Sequence, residues 1–283
     1  MSICSISKIK PKAVPRFNSG YPELNWVYGK SDTPKGIKWG IPFGKISLWA
    51  GAGGVGKSRT AISIAKKIVS LGGRVLYFQN EVDLPTFSGW VKKGNYNLDN
   101  FMVSDSIDLE TQIKDIILAK PHIVFVDSIN QLEEYRSGTK RDIKKIIEGS
   151  NRQIGFREVA KRTSAHIVFI SQLNQDGSVK GSTTLSHLVD IEFKINNIEI
   201  DNHFLIDVGD KNRYGKTGDM FRTLWKHTDS GVESVSNHRY RDKVWCDSNG
   251  KKVQIIIPEA IKEYWINMPE KEKEKRMKES LVR

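Results

Sequence analysis

The sequence predicts an α/β fold: a mainly parallel sheet flanked by helices, with an antiparallel extension. Between Lys45 and Ser171, apolar β-type runs alternate with stretches of helical period. A glycine-rich loop joins the first of these runs to the first of these helices. From Val189 onward, strand-like runs follow one another through short connections. Alternation of the first kind builds βαβ units, whose crossover helices cover both faces of a parallel sheet. Short connections of the last kind favour antiparallel neighbours.

Residues 1–44 are punctuated by Pro11, Pro15, Pro22, Pro34 and Pro42 and several glycines, and read as an irregular leader with at most a short helix near Pro22–Tyr28. Strands are expected at Ile46–Ala50, Arg74–Gln79, Phe101–Val103, Ile123–Val126 and Ile167–Ser171. Helices are expected at Lys57–Leu71, Leu109–Ala119 and Arg141–Thr163, the last open to a later start or a break near Gly149 and Gly155. Val189–Ile195, Phe204–Asp210, Phe221–Trp225 and Val232–Val235 form the antiparallel or mixed extension. Residues 45–240 thus read as one large domain and 241–283 as a short C-terminal extension. Its end, Lys262–Arg283, is nearly all Lys, Glu and Arg after Trp265, a solvated helix or frayed tail. At 283 residues the chain has little room for a second full-sized domain.

No run approaches the length of a membrane span, and the first residues lack a secretory apolar core, so a cytoplasmic protein is expected. Cys4 and Cys246 lie far apart, form no metal pattern and suit a reducing compartment. The formal net charge of +12 favours a polyanionic partner, DNA or RNA. Much of that charge crowds one central stretch: Lys140, Arg141, Lys144, Lys145, Arg152, Arg157, Lys161 and Arg162.

The loop G-A-G-G-V-G-K-S spans Gly51 to Ser58, after the strand Ile46–Ala50 and before the helix. Strand, glycine loop and helix in that order make a phosphate cradle: glycines let successive N–H groups turn onto one oxygen cluster, and the helix adds its positive end. The cradle comprises Gly51, Gly53, Gly54, Val55, Gly56, Lys57, Ser58 and Arg59. Lys57 reaches the β- and γ-phosphates of a nucleoside triphosphate, and Ser58 holds Mg²⁺. The run His122–Val126 is apolar after its first residue and ends in Asp127. An acid at the end of a neighbouring parallel strand meets the same crevice and orients Mg²⁺ or its water. Glu81 follows the strand Arg74–Gln79 and can position and deprotonate an attacking water; Asp83 is a nearby competitor.

K-N-R-Y-G (Lys211–Gly215) resembles the K-N-R-F-G motif of the RadA/Sms ATPase core, a branch of the RecA superfamily that also includes DnaB-type helicases. The stretch from Ser171 to Gly181, followed by Leu185–Asp190, resembles that family's H-x-T-K-x-G-x-I-A-G-x-x-x-L-E-H-x-V-D segment, and Glu81 stands at its glutamate after the second core strand. The resemblance runs from about Phe17 to Val235. It implies a RecA-like P-loop core that uses ATP and Mg²⁺ and works as a homo-oligomer, a ring (hexamer favoured) or filament, on single-stranded DNA in recombination and repair. Lys211 and Arg213 would then reach the γ-phosphate held by a neighbouring subunit, and a recombinase or replication protein is an implied partner. The residues from Gln131 to Phe156 and from Asn174 to Thr184 would face the channel. DNA contacts are therefore expected at Lys180, Lys140, Arg141, Lys144, Lys145 and Arg152.

The chain departs from the family in three ways. Only Cys4 lies where a four-cysteine zinc module is usual, so no zinc site is expected. Too few residues follow Arg239 for the usual Lon-like domain, and the family histidine is replaced around Ser171–Gln172. A stripped core motor, of phage or mobile-element origin in a bacterial host, is the resulting expectation. A replicative helicase or loader, an ATP-dependent clamp or recombination mediator, and an ATPase with no nucleic-acid role are the alternatives. The last is opposed by the net charge.

Overall fold

In the computed structural model, Ile46–Gly51, the strand that feeds the glycine-rich loop, lies inside a nine-stranded sheet. The structure describes residues 13–94, 96–132, 140–151, 153–174, 177–180, 184–198, 202–215, 217, 222–234, 239–241 and 244–246. In chain order the elements are β1 (Arg16–Phe17), α1 (Pro22–Tyr28), β2 (Lys30–Thr33), β3 (Gly36–Trp39), β4 (Ile41–Pro42), β5 (Ile46–Gly51) and α2 (Lys57–Ser70). Then come β6 (Val75–Gln79), α3 (Leu84–Val91), β7 (Phe101–Ser104), α4 (Leu109–Ala119), β8 (Ile123–Asp127) and a 3₁₀ turn, Ile129–Gln131. α5 (Lys140–Glu148), α6 (Phe156–Thr163), β9 (His166–Gln172), α7 (Thr184–Leu188) and β10 (Ile191–Asn197) follow. The last elements are β11 (His203–Asn212), β12 (Arg222–Thr228), β13 (Gly231–Ser234), β14 (Arg239–Arg241) and β15 (Val244–Cys246).

The sheet order is β13-β12-β11-β10-β5-β9-β8-β6-β7. Neighbours from β10 to β7 pair parallel, and β10-β11, β11-β12 and β12-β13 pair antiparallel. This is the α/β architecture that the alternation of elements predicts, and it matches the RecA-like core that the resemblance implies. The core strands are buried on both faces, so successive side chains feed two cores. Trp49, Tyr77 and Phe125 pack with α1, α2 and α3 residues such as Leu24, Ile64 and Phe87. Leu48, Phe78 and Val126 pack with α4, α5 and α6 residues such as Ile113, Ile146 and Val159. Each face alternates with the period of two that a strand imposes.

Two elements differ from expectation. The residues before Gly44 are more regular than their prolines suggest: β1 pairs with β4, β2 with β3, and Leu24, Val27, Tyr28 and Ile41 enter the core. Pro22 opens α1 at its first turn, where a missing N–H costs nothing, and Gly29 ends it at φ 96°. Past Glu81 the chain forms α3, which the sequence reading leaves as loop. Asp83 caps it by accepting from Thr86 N at 2.8 Å. The helix expected over 141–163 breaks at the Gly149–Gly155 turn into α5 and α6. Arg152, Phe221, Val235, Cys4 and the charged segment Lys262–Arg283 lie outside the described residues, as do the side chains of Lys140 and Arg141.

Candidate functional site

β5 ends in Gly51, and the loop beyond it turns into α2 through Gly56, whose φ of 89° is left-handed. A Cβ at Gly51 would lie 2.6 Å from Ile195 O, and one at Gly56 would lie 2.3 Å from the His227 ring, so both positions exclude any side chain. Gly53 and Gly54 meet nothing within 4 Å and leave their backbone open. Lys57 folds back, its Nζ donating to Gly51 O (2.9 Å) and Ala52 O (2.7 Å). Burial pulls its ammonium below the usual lysine value, while Asp127 and Glu81 pull it upward. The loop therefore holds a cation and two exposed glycines at a helix start, a set that fits a phosphate.

The cleft beside this loop has a volume of about 440 Å³. Lys57, Ser58, Arg59, Glu81 and Asp127 line it, together with Gln172 at the end of β9 and the β12-β13 turn from Asp229 to Gly231. Asp127 is 1 % exposed. Tyr77 Oη donates to its Oδ2 at 2.6 Å, and the Ser58 side chain also hydrogen-bonds to it. Burial pushes the Asp127 carboxyl up to about 6, with Glu81 adding to the rise and Tyr77, Ser58 and Lys57 opposing it. A carboxylate so desolvated gains most from a divalent cation. Among the described residues no cluster of three or more His, Cys, Asp or Glu could hold a metal ion. One carboxylate and one hydroxyl beside a phosphate cradle is nonetheless a donor set that suits Mg²⁺, which retains waters and phosphate oxygens.

The two candidate bases separate clearly. Asp83 spends both oxygens on Thr86, one on its N–H and one on its hydroxyl, and these bonds hold its carboxyl below the usual range. Glu81 lies on the cleft wall with Lys57 and Asp127 in electrostatic reach.

Lys211 and Arg213 are brought to a different place. Asn212 pairs with Ile191, and Ile191 pairs with Ser47 near the start of β5, whereas the phosphate loop leaves its end. One strand length, about 17 Å for six residues, separates the two levels. At the start of β5, Asp190 accepts from Ile46 N (3.1 Å), Arg157 (3.2 Å) and Arg213 (3.2 Å). Lys211 Nζ donates to Ser186 O (3.3 Å) and to His187 O. Arg213 remains 53 % exposed in its side chain.

The expected nucleic-acid contacts divide in the same way. Lys180 is exposed at the loop edge of the sheet, its N–H donating to Gln172 O (2.8 Å) and its Nζ 3.5 Å from Gln172 Oε1. Lys144 and Lys145 project from α5 and pair with Glu148 (3.6 Å) and Asp142 (3.1 Å) on that helix. Arg157 turns inward to Asp190, and Arg162 pairs with Glu158, so the central basic crowd is partly neutralised by its own helices.

Sequence reasoning misses His227 and Tyr77. From β12, His227 stacks on Phe204 with centroids 4.4 Å apart and lies under the loop with Nε2 3.3 Å from Val55 O. Burial lowers its pKa, and Arg59 adds to the effect. Arg59 itself donates to Thr228 O, tying α2 to the same hairpin.

No family model matches the chain. It is similar to curated proteins named DNA repair protein RadA: 26 % identical over 197 residues to that of Aquifex aeolicus, covering 69 % of this chain and 43 % of the relative. To those of Halalkalibacterium halodurans and Mycolicibacterium smegmatis it is 25 % and 24 % identical over 234 residues, covering 82 % of this chain and 48 % of each relative. The chain thus spans about half the length of the curated relatives it matches. The strand order and the phosphate loop agree with this similarity, which bears out the resemblance to the RadA/Sms ATPase core of the RecA superfamily.

Proposed function

We propose that this chain is a DNA-dependent ATPase of recombination or repair, working as a homo-oligomer in which Arg213 and Lys211 of one copy complete the phosphate site of the next. The observation that carries this reading is the separation along β5. Phosphate loop, Ser58, Asp127 and Glu81 share one cleft, while the two cations lie a strand length away, beyond reach of their own cleft. The named role of the relatives, DNA repair, supports the nucleic-acid part.

In this reading Lys57 leaves the two carbonyls of its own loop for the β- and γ-phosphates of ATP. Ser58 and Asp127 would hold Mg²⁺, which when bound supplies charge neutralisation on the phosphate oxygens. Glu81 orients a water and accepts its proton. Arg213 of the adjacent copy meets the charge that grows on the transferring group. Lys180 contacts the DNA backbone without reading sequence, and its bonds to Gln172, a cleft residue, link that contact to the nucleotide. Lys144 and Lys145 exchange carboxylate partners for phosphates, a low-cost exchange for exposed pairs.

Phosphate release measured with and without single-stranded DNA, single-stranded RNA and duplex DNA, at several salt concentrations, tests the reading. Single-stranded DNA should stimulate turnover most, and its apparent affinity should fall with salt. Lys180→Ala should lower that salt slope by roughly one. Turnover indifferent to every nucleic acid at every salt would overturn the DNA-dependent part.

A further inference from the structure

Arg16 is buried at the start of β1, and its partners are four carbonyls and a hydroxyl. Nε donates to Ser31 Oγ (2.7 Å), one terminal nitrogen to Tyr28 O (3.1 Å) and Gly40 O (2.8 Å), and the other to Lys30 O (3.0 Å) and Tyr214 O (3.2 Å). All five guanidinium N–H groups are used. Desolvation pulls its pKa down to about 10, so it stays charged at neutral pH. Burying a cation on neutral acceptors alone is costly, and an apolar side chain would hold a hairpin more cheaply. What the fork supplies is geometry: it ties the two arms of the β2-β3 hairpin, at Tyr28, Lys30 and Gly40, to the loop of Arg213 at Tyr214.

That loop is pinned on both sides of Arg213. Asn212 Nδ2 donates to Val27 O (2.9 Å), and Asn212 Oδ1 accepts from Tyr214 N (3.0 Å). Gly29 touches Tyr214 so closely that a Cβ would lie 2.3 Å from its carbonyl oxygen. Lys45 Nζ stands 5.0 Å from the centroid of the Tyr214 ring. Between these anchors the Arg213 side chain is half exposed and held by one ion pair, to Asp190. Its backbone is fixed while its guanidinium can change partners.

We propose that Arg16 is a positioning residue for Arg213: through the Tyr214 carbonyl it fixes the loop from which Arg213 reaches the phosphate held by an adjacent copy. The proposal rests on the intersubunit reading of Arg213 given above. It gives the segment before β5 a part in catalysis that its position far from its own cleft would hide. A charge-preserving change, Arg16→Lys, keeps the cation but cannot span five acceptors.

The test is complementation in mixed assemblies made by co-expression. Arg16→Lys should bind ATP with unchanged KM, because its own cleft is intact, and lose about a hundredfold in kcat, the cost of misplacing a catalytic group. Assemblies of Arg16→Lys with Lys57→Ala should regain turnover, since the first supplies a working phosphate loop and the second a correctly held Arg213. Assemblies of Arg16→Lys with Arg213→Ala should regain none, since neither supplies a working finger. Wild-type kcat in Arg16→Lys, rescue by Arg213→Ala, or no rescue by Lys57→Ala while the Arg213→Ala and Lys57→Ala pair does rescue would each overturn the proposal. If that control pair itself shows no rescue, the intersubunit reading fails, and the proposal with it. Should Arg16→Lys lose its fold by circular dichroism, Ser31→Ala, which frees a single guanidinium N–H, is read through the same mixtures with a smaller loss.

Discussion

At the end of β5 the chain gathers Lys57, Ser58, Asp127 and Glu81 around an open cleft. At the start of the same strand it gathers Arg157, Lys211 and Arg213 around Asp190, where every cation has a partner from its own chain. The first cluster is strained by burial: a carboxyl raised to about 6 and an ammonium lowered, each only partly offset by the other's charge. The second is nearly satisfied, with Asp190 bridging two arginines and a backbone N–H. A site that is uncomfortable when empty is built for a ligand, whereas one that is comfortable and half exposed is built to present a group elsewhere. The contrast supports the proposal that the two clusters meet across a contact between copies.

The comparison can be broken or sharpened by variants in order of their effect. Lys57→Ala should reduce phosphate release to background and weaken nucleotide binding with an unchanged circular dichroism spectrum; normal turnover from folded variant would remove the first cluster from the chemistry. Arg213→Ala should bind ATP nearly normally and lose about a thousandfold in hydrolysis. Mixed with Lys57→Ala it should recover activity, and activity no greater than the sum of the parts would return Arg213 to a structural role beside Asp190. Glu81→Gln should lose at least about a hundredfold in kcat with ATP binding kept, because an amide cannot accept the proton. Asp83→Asn should leave turnover near wild type, since Asn caps α3 equally well; the opposite pattern would exchange the two assignments.

The last effect is in stability. Asp127 binds its proton more tightly folded than unfolded, so the stability it contributes is present below about pH 4 and lost as pH rises through about 6. At 1.36 kcal/mol per unit this is about 3 kcal/mol. Urea unfolding of the nucleotide-free protein should therefore show Asp127→Asn gaining on wild type by about that much between pH 4 and pH 7. A pH-independent difference would mean that the carboxyl is not desolvated as its burial implies.

The parallel half of the fold was legible because its signals are local. α4 runs over Leu109–Ala119 as its apolar period predicts, and β5, α2 and β8 differ from their expected spans by a residue at one end. α3 and the β2-β3 hairpin carried readable marks, Asp83 with Pro85 and the turn before Gly36, that the prolines around them obscured. Lys57, Glu81 and Asp127 were legible as candidates because the ends of β5, β6 and β8 bring them to one cleft. His227, Tyr77 and Arg16 were not, because their partners lie 172, 50 and up to 198 residues away in the chain. The local run around each resembles any strand.

The distance between Val55 and His227 also sets an order in time. A ribosome releases the glycine loop, α2 and Asp127 well before it makes the hairpin of β12 and β13, which lies under the loop and lines the cleft from Asp229 to Gly231. A nascent chain that ends before residue 222 carries every letter of the phosphate motif and lacks the support of the loop. On the proposed function, ATP stabilises only a completed site. The nucleotide therefore favours chains that have finished the sheet over those that have only begun it, and folding of the parallel half must proceed on its apolar core alone.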